Sequence, residues 1–184
     1  MATARQDDPN GHRPVLTVVN AGGHLSQALC VMTAVPRFEL VTTARIDIET
    51  RADKVHLVPG TQFNPLIFAA NVIRALGILA SSNPRSVFST GGPVCLPFAV
   101  AAKLTGRRFV YLDTLSRVDE LSNTARLLYR LNLADELLLQ WEHLAEKYPR
   151  CEYVGKVFDI CDVGNEPLSV PANDRVVGAA PSPT

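Results

Sequence analysis

Two glycine-rich turns, Asn20-Ala21-Gly22-Gly23-His24 and Ser89-Thr90-Gly91-Gly92-Pro93, hold the residues of this chain best suited to chemistry. Each follows a β-branched run and opens an apolar segment of helical period. A glycine pair at a strand-to-helix turn lets the backbone approach a ligand closely. The helix behind it offers free N–H groups at a positive dipole end, which is how a phosphate or diphosphate is held. Gly22, Gly23, Thr90, Gly91 and Gly92 are therefore expected at a phosphate-bearing ligand. His24 stands at the mouth of the first turn, where a neutral imidazole can donate to a phosphate oxygen or accept a hydroxyl proton. The alternative for His24 is a residue that only caps backbone N–H groups. Asp113 and Arg117 share the loop Asp113-Thr114-Leu115-Ser116-Arg117, as an acid and a cation for the site or as a solvent-facing pair.

The spelling of the turns excludes the commoner nucleotide sites. Asn20 to Ser26 does not give G-x-G-x-x-G, and Val41-Thr42-Thr43-Ala44 lacks the acidic residue that would hold a ribose, so NAD(P) is not expected. Neither turn continues into Lys-Ser or Lys-Thr, which excludes a P-loop. No clustering of metal ligands is visible, so no metal and no other cofactor is expected.

The elements that must position these residues follow from the hydrophobic periodicity. Val15 to Val19 reads as a buried strand, followed by a helix from about His24 to Ala34 that Pro36 stops. Glu39 to Thr43 and Lys54 to Val58 are the next strands. Asn64 as N-cap and Pro65 at the first position start a helix through about Ser81. Ser86 to Ser89 is a strand, Pro93 to Leu104 a helix and Arg108 to Leu112 a strand. Glu120 to Leu131 makes a helix, Glu136 to Gln140 a strand, and Trp141 to Tyr148 a short helix ended by Pro149. Strands alternating with helices through right-handed crossovers predict an α/β fold, a Rossmann-like three-layer domain with a mostly parallel sheet. Ligands in such folds sit at the carboxyl ends of the strands, where both glycine turns and Asp113 fall.

The chain has 184 residues, 18 Lys+Arg against 18 Asp+Glu, and 47% apolar residues. That supports one well-packed core and is short for two full domains. Zero net charge removes the footprint of sequence-independent nucleic-acid binding. Cys30, Cys95, Cys151 and Cys161 show no C-x-x-C pairing and are expected as reduced thiols of a cytoplasmic protein, without zinc. Residues 1–12 are polar and mixed in charge, and read as a flexible terminus and not a signal peptide. The domain is expected over residues 13–160, followed by a mobile Pro-rich tail over 161–184. The run Leu66 to Ala80, interrupted by Asn71 and Arg74, is shorter than the roughly 20 residues that span a bilayer. Pro65 to Leu79 is either a core helix or one that lies on a membrane or partner. Phe68 and Ile78 belong to its apolar surplus, and Arg74 would have to snorkel or pair.

Taken in order, Gly22-Gly23-His24, Ser89 to Pro93, Tyr111-Leu112-Asp113-Thr114-Leu115-Ser116-Arg117-Val118, Gln140-Trp141 and Tyr153-Val154-Gly155-Lys156-Val157 resemble the Alg-fourteen-type oligosaccharide biosynthesis proteins. They are similar also to the bacterial capsule and exopolysaccharide counterparts of the PssD and CpsF kind. The likeness runs from about Val15 to Phe158. It implies the N-terminal half of a GT-B glycosyltransferase, similar to that half of the peptidoglycan enzyme MurG. Such a half binds a polyprenyl-diphosphate-linked saccharide acceptor at the inner face of the membrane and recruits a separate donor-binding subunit with the UDP-sugar site, here of the UDP-N-acetylglucosamine type.

On that reading the glycines and Thr90 hold the acceptor diphosphate, Arg117 steadies it, and His24 or Asp113 is the base. Phe68, Arg74, Ile78 and Trp141 would meet membrane or partner. The family's third motif has Glu followed by Ser-Phe where this chain has Asp113-Thr114-Leu115, which shortens the acid by one methylene. The membrane-spanning helix that begins eukaryotic members has no counterpart in the sequence, which points to the bacterial branch. A non-catalytic scaffold for the partner transferase is the rival expectation, and a free-standing nucleotide-binding domain a third.

Overall fold

The structure, a computed structural model, describes residues 13–44, 51–60 and 64–158. The expected flexible terminus over 1–12, the expected tail over 161–184 and Cys161 lie outside the described residues. Seven strands form one sheet in the order β3-β2-β1-β4-β5-β6-β7, and every neighbouring pair is parallel. The strands are β1 (Val15–Val19), β2 (Phe38–Thr42), β3 (Lys54–Leu57), β4 (Ser86–Gly91), β5 (Phe109–Leu112), β6 (Glu136–Leu139) and β7 (Glu152–Tyr153). The helices are α1 (Gly23–Met32), α2 (Pro65–Ser82), α3 (Cys95–Leu104), α4 (Asn123–Leu131) and α5 (Glu142–Lys147).

Alternating side chains of β1 divide the core. Leu16 and Val18 point to one face and join Ala75 and Leu79 of α2, Phe98 and Ala102 of α3, and Leu128 of α4. Val15 and Val19 point to the other and join Leu25, Ala28 and Met32 of α1 with Val157. The period-2 geometry of a strand therefore gives three layers, α1 on one side and α2 to α5 on the other. The strand order reverses between β1 and β4, and the carboxyl ends at such a reversal are where ligands bind in folds of this kind.

Differences from the expected elements are local. The strand β7 is absent from the sequence reading, because two residues, Glu152 and Tyr153, carry no periodicity. The helix α4 starts at Asn123 and not near Glu120, because the Ser122 hydroxyl accepts from Ala125 N and fixes the N-terminus there. Asn64 caps α2 as expected, accepting from Leu66 and Ile67 N–H, with Pro65 in the first turn.

With 18 residues, α2 is longer than the apolar run alone, and by length and composition it could cross a membrane. It packs beside α3, with Asn71, Ala75 and Leu79 buried. The face opposite those residues, Leu66, Ala69, Ile73, Gly77 and Ala80, is exposed, with Leu66 at 79% and Ile73 at 71%. Phe68 is half-buried and Ile78 packs against the core, so the outward apolar stripe runs through Leu66 and Ile73. Arg74 is exposed and donates to the Asn71 side chain at 3.2 Å.

Cys95 and Cys151 are free thiols. Cys30 is disulfide-bonded, which corrects the expectation that all four cysteines are reduced. Spacing along the chain could not reveal this. Packing brings Val157 over α1, and the Cys30 sulfur lies 3.5 Å from the Val157 carbonyl oxygen.

Candidate functional site

The two glycine turns meet at the carboxyl ends of the central strands β1 and β4. Thr90, buried at the end of β4, donates its hydroxyl to the His24 carbonyl at 2.5 Å. His24 Nδ1 lies 2.9 Å from the Thr90 carbonyl oxygen. A carbonyl only accepts, so Nδ1 carries the proton and, in the neutral ring, Nε2 keeps its lone pair. This reciprocal clasp joins one turn to the other and fixes both the orientation and the tautomer of the imidazole.

The glycines divide by what surrounds them. Gly91 has φ +134°, and a Cβ there would sit 2.5 Å from His24 Nδ1 and Cε1. Gly92 has φ +87° and is packed against the side chain of Asn20. Both are glycine because the turns are pressed together and the backbone is in a region that side chains disfavour. Gly22, at φ +97°, forms the N-cap position of α1. Gly23 has no atom within 4 Å of a notional Cβ and no positive φ, so the fold makes no demand for glycine there.

The helix termini at these turns have no side-chain cap. The helices α1 and α3 have neither a side-chain cap nor an acidic residue in the first turn, whereas α2 and α4 are capped by Asn64 and Ser122. In α3 the Cys95 and Leu96 N–H groups donate to the Gly92 and Pro93 carbonyls and Pro97 has none, whereas in α1 Leu25 and Ser26 donate to the Gly22 carbonyl and the N–H groups of Gly23 and His24 precede them, so the positive dipole end of α1 is the one that favours an anion.

Asp113 closes β5 but does not offer a free carboxylate. It is 3% exposed; Oδ1 accepts from Thr114 N at 2.9 Å and Oδ2 from Ser122 N at 3.0 Å. Burial raises its pKa, against the lowering effects of the bonds from Ser122 and Thr114. Its role in the fold is to tie the two ends of the loop between β5 and α4. Arg117 is exposed on that loop, and its guanidinium has no hydrogen bond or ion pair among the described residues. Trp141 donates its indole N–H to the Leu115 carbonyl at 2.9 Å and carries the Lys156 ammonium 4.7 Å from its ring centroid. Trp141 therefore holds the Arg117 loop, as His143 does through the Val118 carbonyl at 2.6 Å.

Sequence reasoning assigned no role to Gln140, which lies under the site. Its amide nitrogen donates to the Asp113 carbonyl at 2.8 Å, and its oxygen accepts from Val157 N at 2.9 Å. The one signal for it was its place beside Trp141 in the ordered motifs. Phe68, Arg74 and Ile78 are on α2, and among the described residues none of them bonds to the clasp. Among the described residues there is no group of three or more His, Cys, Asp or Glu side chains that could hold a metal.

A single Rossmann-like lobe, with two glycine turns and a fixed imidazole at its switch point, is the class of protein that these features define. The same lobe is found within larger enzymes. The chain superposes on a UDP-N-acetylglucosamine 2-epimerase from Rickettsia bellii with a TM-score of 0.62 at 16% identity, covering 82% of this chain and 46% of that one. On the MurG of Acinetobacter baumannii the TM-score is 0.56 at 17% identity, covering 78% of this chain and 46% of that one. At such identities the likeness is one of fold.

Residues 48–157 match the family model described as "Oligosaccharide biosynthesis protein Alg14 like", and the chain belongs to that family. A Yarrowia lipolytica protein named UDP-N-acetylglucosamine transferase subunit ALG14 is 31% identical over 131 residues, 63% of this chain. The match spans 58% of that relative's length.

Proposed function

We propose that this chain is the acceptor-binding subunit of a UDP-sugar-dependent glycosyltransferase, active only with a separate donor-binding subunit. The observation that carries the reading is the His24–Thr90 clasp at the N-terminus of α1, which has no side-chain cap. Family membership supports it, as does the printed name of the relative, a UDP-N-acetylglucosamine transferase subunit. So does the size of the lobe, since it covers 46% of MurG and a GT-B enzyme closes two such lobes over its substrates.

In this reading the diphosphate of a polyprenyl-linked saccharide sits against the N–H groups of Gly22 and Gly23 at the start of α1. Arg117 supplies the mobile cation. His24 Nε2, left with a lone pair by the Nδ1–H bond to Thr90, takes the proton of the acceptor hydroxyl. The hydroxyl oxygen bonds to the anomeric carbon of the donor sugar while the bond from that carbon to the UDP oxygen breaks. The donor is held by the partner. Asp113, with both oxygens occupied by backbone N–H groups, supports the loop and is the weaker candidate for base. The exposed stripe of α2, with Arg74 beside it, lies on the inner face of the membrane where such an acceptor is embedded.

The test is reconstitution with the partner chain and a radiolabelled UDP-sugar. The chain alone should transfer nothing. The pair should transfer, and His24→Ala in the pair should lose roughly two to four orders of magnitude. Transfer by the single chain overturns the half-enzyme reading, and full activity of His24→Ala leaves a non-catalytic scaffold in its place.

A further inference from the structure

Gln140 follows the last residue of β6 and is only 2% exposed, yet it carries an amide where a hydrocarbon would pack. A buried amide costs free energy unless its polar atoms are bonded. Here they are. Nε2 donates to the Asp113 carbonyl at 2.8 Å, Oε1 accepts from Val157 N–H at 2.9 Å, and Nε2 also lies 3.5 Å from Gln27 Oε1.

Those three partners belong to three separate segments of the chain. Asp113 opens the loop that carries Arg117 and closes at Ser122, whose N–H donates to the Asp113 carboxylate. Gln27 is buried on α1, one turn beyond His24. Val157 packs in the core with Leu25 of the same helix. The carboxamide of Gln140 acts as a peptide group carried on a side chain, giving an N–H to one segment and a carbonyl to another. A hydrocarbon of equal length would withdraw both bonds and leave two buried backbone groups without them. The next residue, Trp141, grips the same loop further along, through the Leu115 carbonyl. Two successive residues thus hold the Arg117 loop at two points, one from within the core and one from its edge.

We propose that Gln140 is a positioning residue of the crevice, fixing the base of the Arg117 loop against the α1 turn that presents His24, so that cation and base meet one acceptor at a set separation. The proposal rests on the acceptor-binding reading above and adds to it a side chain that touches no substrate. Its effect is geometric, since a displacement of about 1 Å at a binding or reacting group is enough to cost a large factor in rate or affinity.

Steady-state kinetics of the pair reconstituted with the donor-binding subunit tests this, with UDP-N-acetylglucosamine as donor and farnesyl-diphosphate-linked N-acetylglucosamine as acceptor. Gln140→Met keeps the length of the side chain and removes both bonds. It should raise the acceptor KM roughly tenfold and leave the donor KM, set by the partner, within about twofold of wild type. In an Arg117→Ala background the same substitution should raise the acceptor KM less than about twofold further, because residues that act through one another are not additive. A residue that serves stability alone would lower kcat per total protein with both KM values unchanged, and that result overturns the proposal. So does a full effect of Gln140→Met in the Arg117→Ala background, which would separate Gln140 from the loop. Should Gln140→Met fail to fold, Gln140→Asn, an amide one methylene short, is read by the same two criteria. These results leave the acceptor-binding reading standing, whereas absence of acceptor-dependent transfer by the wild-type pair overturns that reading and the proposal with it.

Discussion

Replacing Gly91 and Gly23 separately by alanine distinguishes a glycine needed for packing from one needed for a ligand. At Gly91 the backbone φ of +134° is one that side chains rarely adopt, and holding a residue in such a region costs about 1–3 kcal/mol. The new Cβ would also lie 2.5 Å from the His24 ring. Moving the ring away breaks the Nδ1 bond to Thr90, worth about 0.5–1.5 kcal/mol. The expected destabilisation is about 2–4 kcal/mol, or a fall in melting temperature of roughly 4–16 °C for a chain of this size.

At Gly23 nothing lies within 4 Å of the added carbon, and alanine in a helix is favoured over glycine by up to about 1 kcal/mol. Gly23→Ala should therefore melt at or above the wild-type temperature. It should still bind a diphosphate-linked sugar at least tenfold more weakly, because the methyl group fills the space that the backbone leaves for the ligand. Differential scanning fluorimetry and isothermal titration calorimetry on the two variants measure both quantities. A Gly91→Ala variant as stable as wild type would refute the packing argument. A Gly23→Ala variant with unaltered affinity would refute the close-approach argument.

Two further outcomes follow from other parts of the molecule. Glutamates at Leu66 and Ile73, which are 79% and 71% exposed, remove apolar side chains worth about 1.5–3 kcal/mol each when buried. The Leu66→Glu, Ile73→Glu double variant should lose at least tenfold of its partition onto anionic liposomes in a flotation assay while keeping its circular dichroism, and wild-type flotation would sink the docking assignment. Burial raises the pKa of Asp113 in the folded state, so the native protein keeps a proton that the unfolded chain has released. Wild-type stability should then fall as pH rises from the ordinary aspartate range through the raised value, and Asp113→Asn should show a flatter profile in thermal melts across that window. Parallel profiles would mean that Asp113 is not the group responsible.

Periodicity and turn chemistry alone determined the architecture. Val15 to Val19 is apolar and β-branched enough to read as a buried strand, and glycine pairs followed by helical period placed both turns at strand ends. Asn64-Pro65 marked the start of α2 because capping is local chemistry, readable within four residues. The membership of Gly22, Gly23, His24, Gly91 and Gly92 in one crevice was also legible, since parallel crossovers carry every strand-to-helix turn to the same edge.

The tertiary structure decided what those residues touch. Whether His24 caps a helix or presents Nε2 depends on Thr90, which is distant in sequence and becomes its neighbour only when β1 and β4 pair. The sequence offered Asp113 as a free acid, but the structure occupies both its oxygens with backbone N–H groups. Trp141 holds the Arg117 loop because β6 ends beside β5. On α2, composition showed a surplus of apolar residues but not which of them face out, since that depends on where α3 packs. Long-range contacts set tautomer, burial and charge partner, and these are the properties on which the chemistry of a side chain depends.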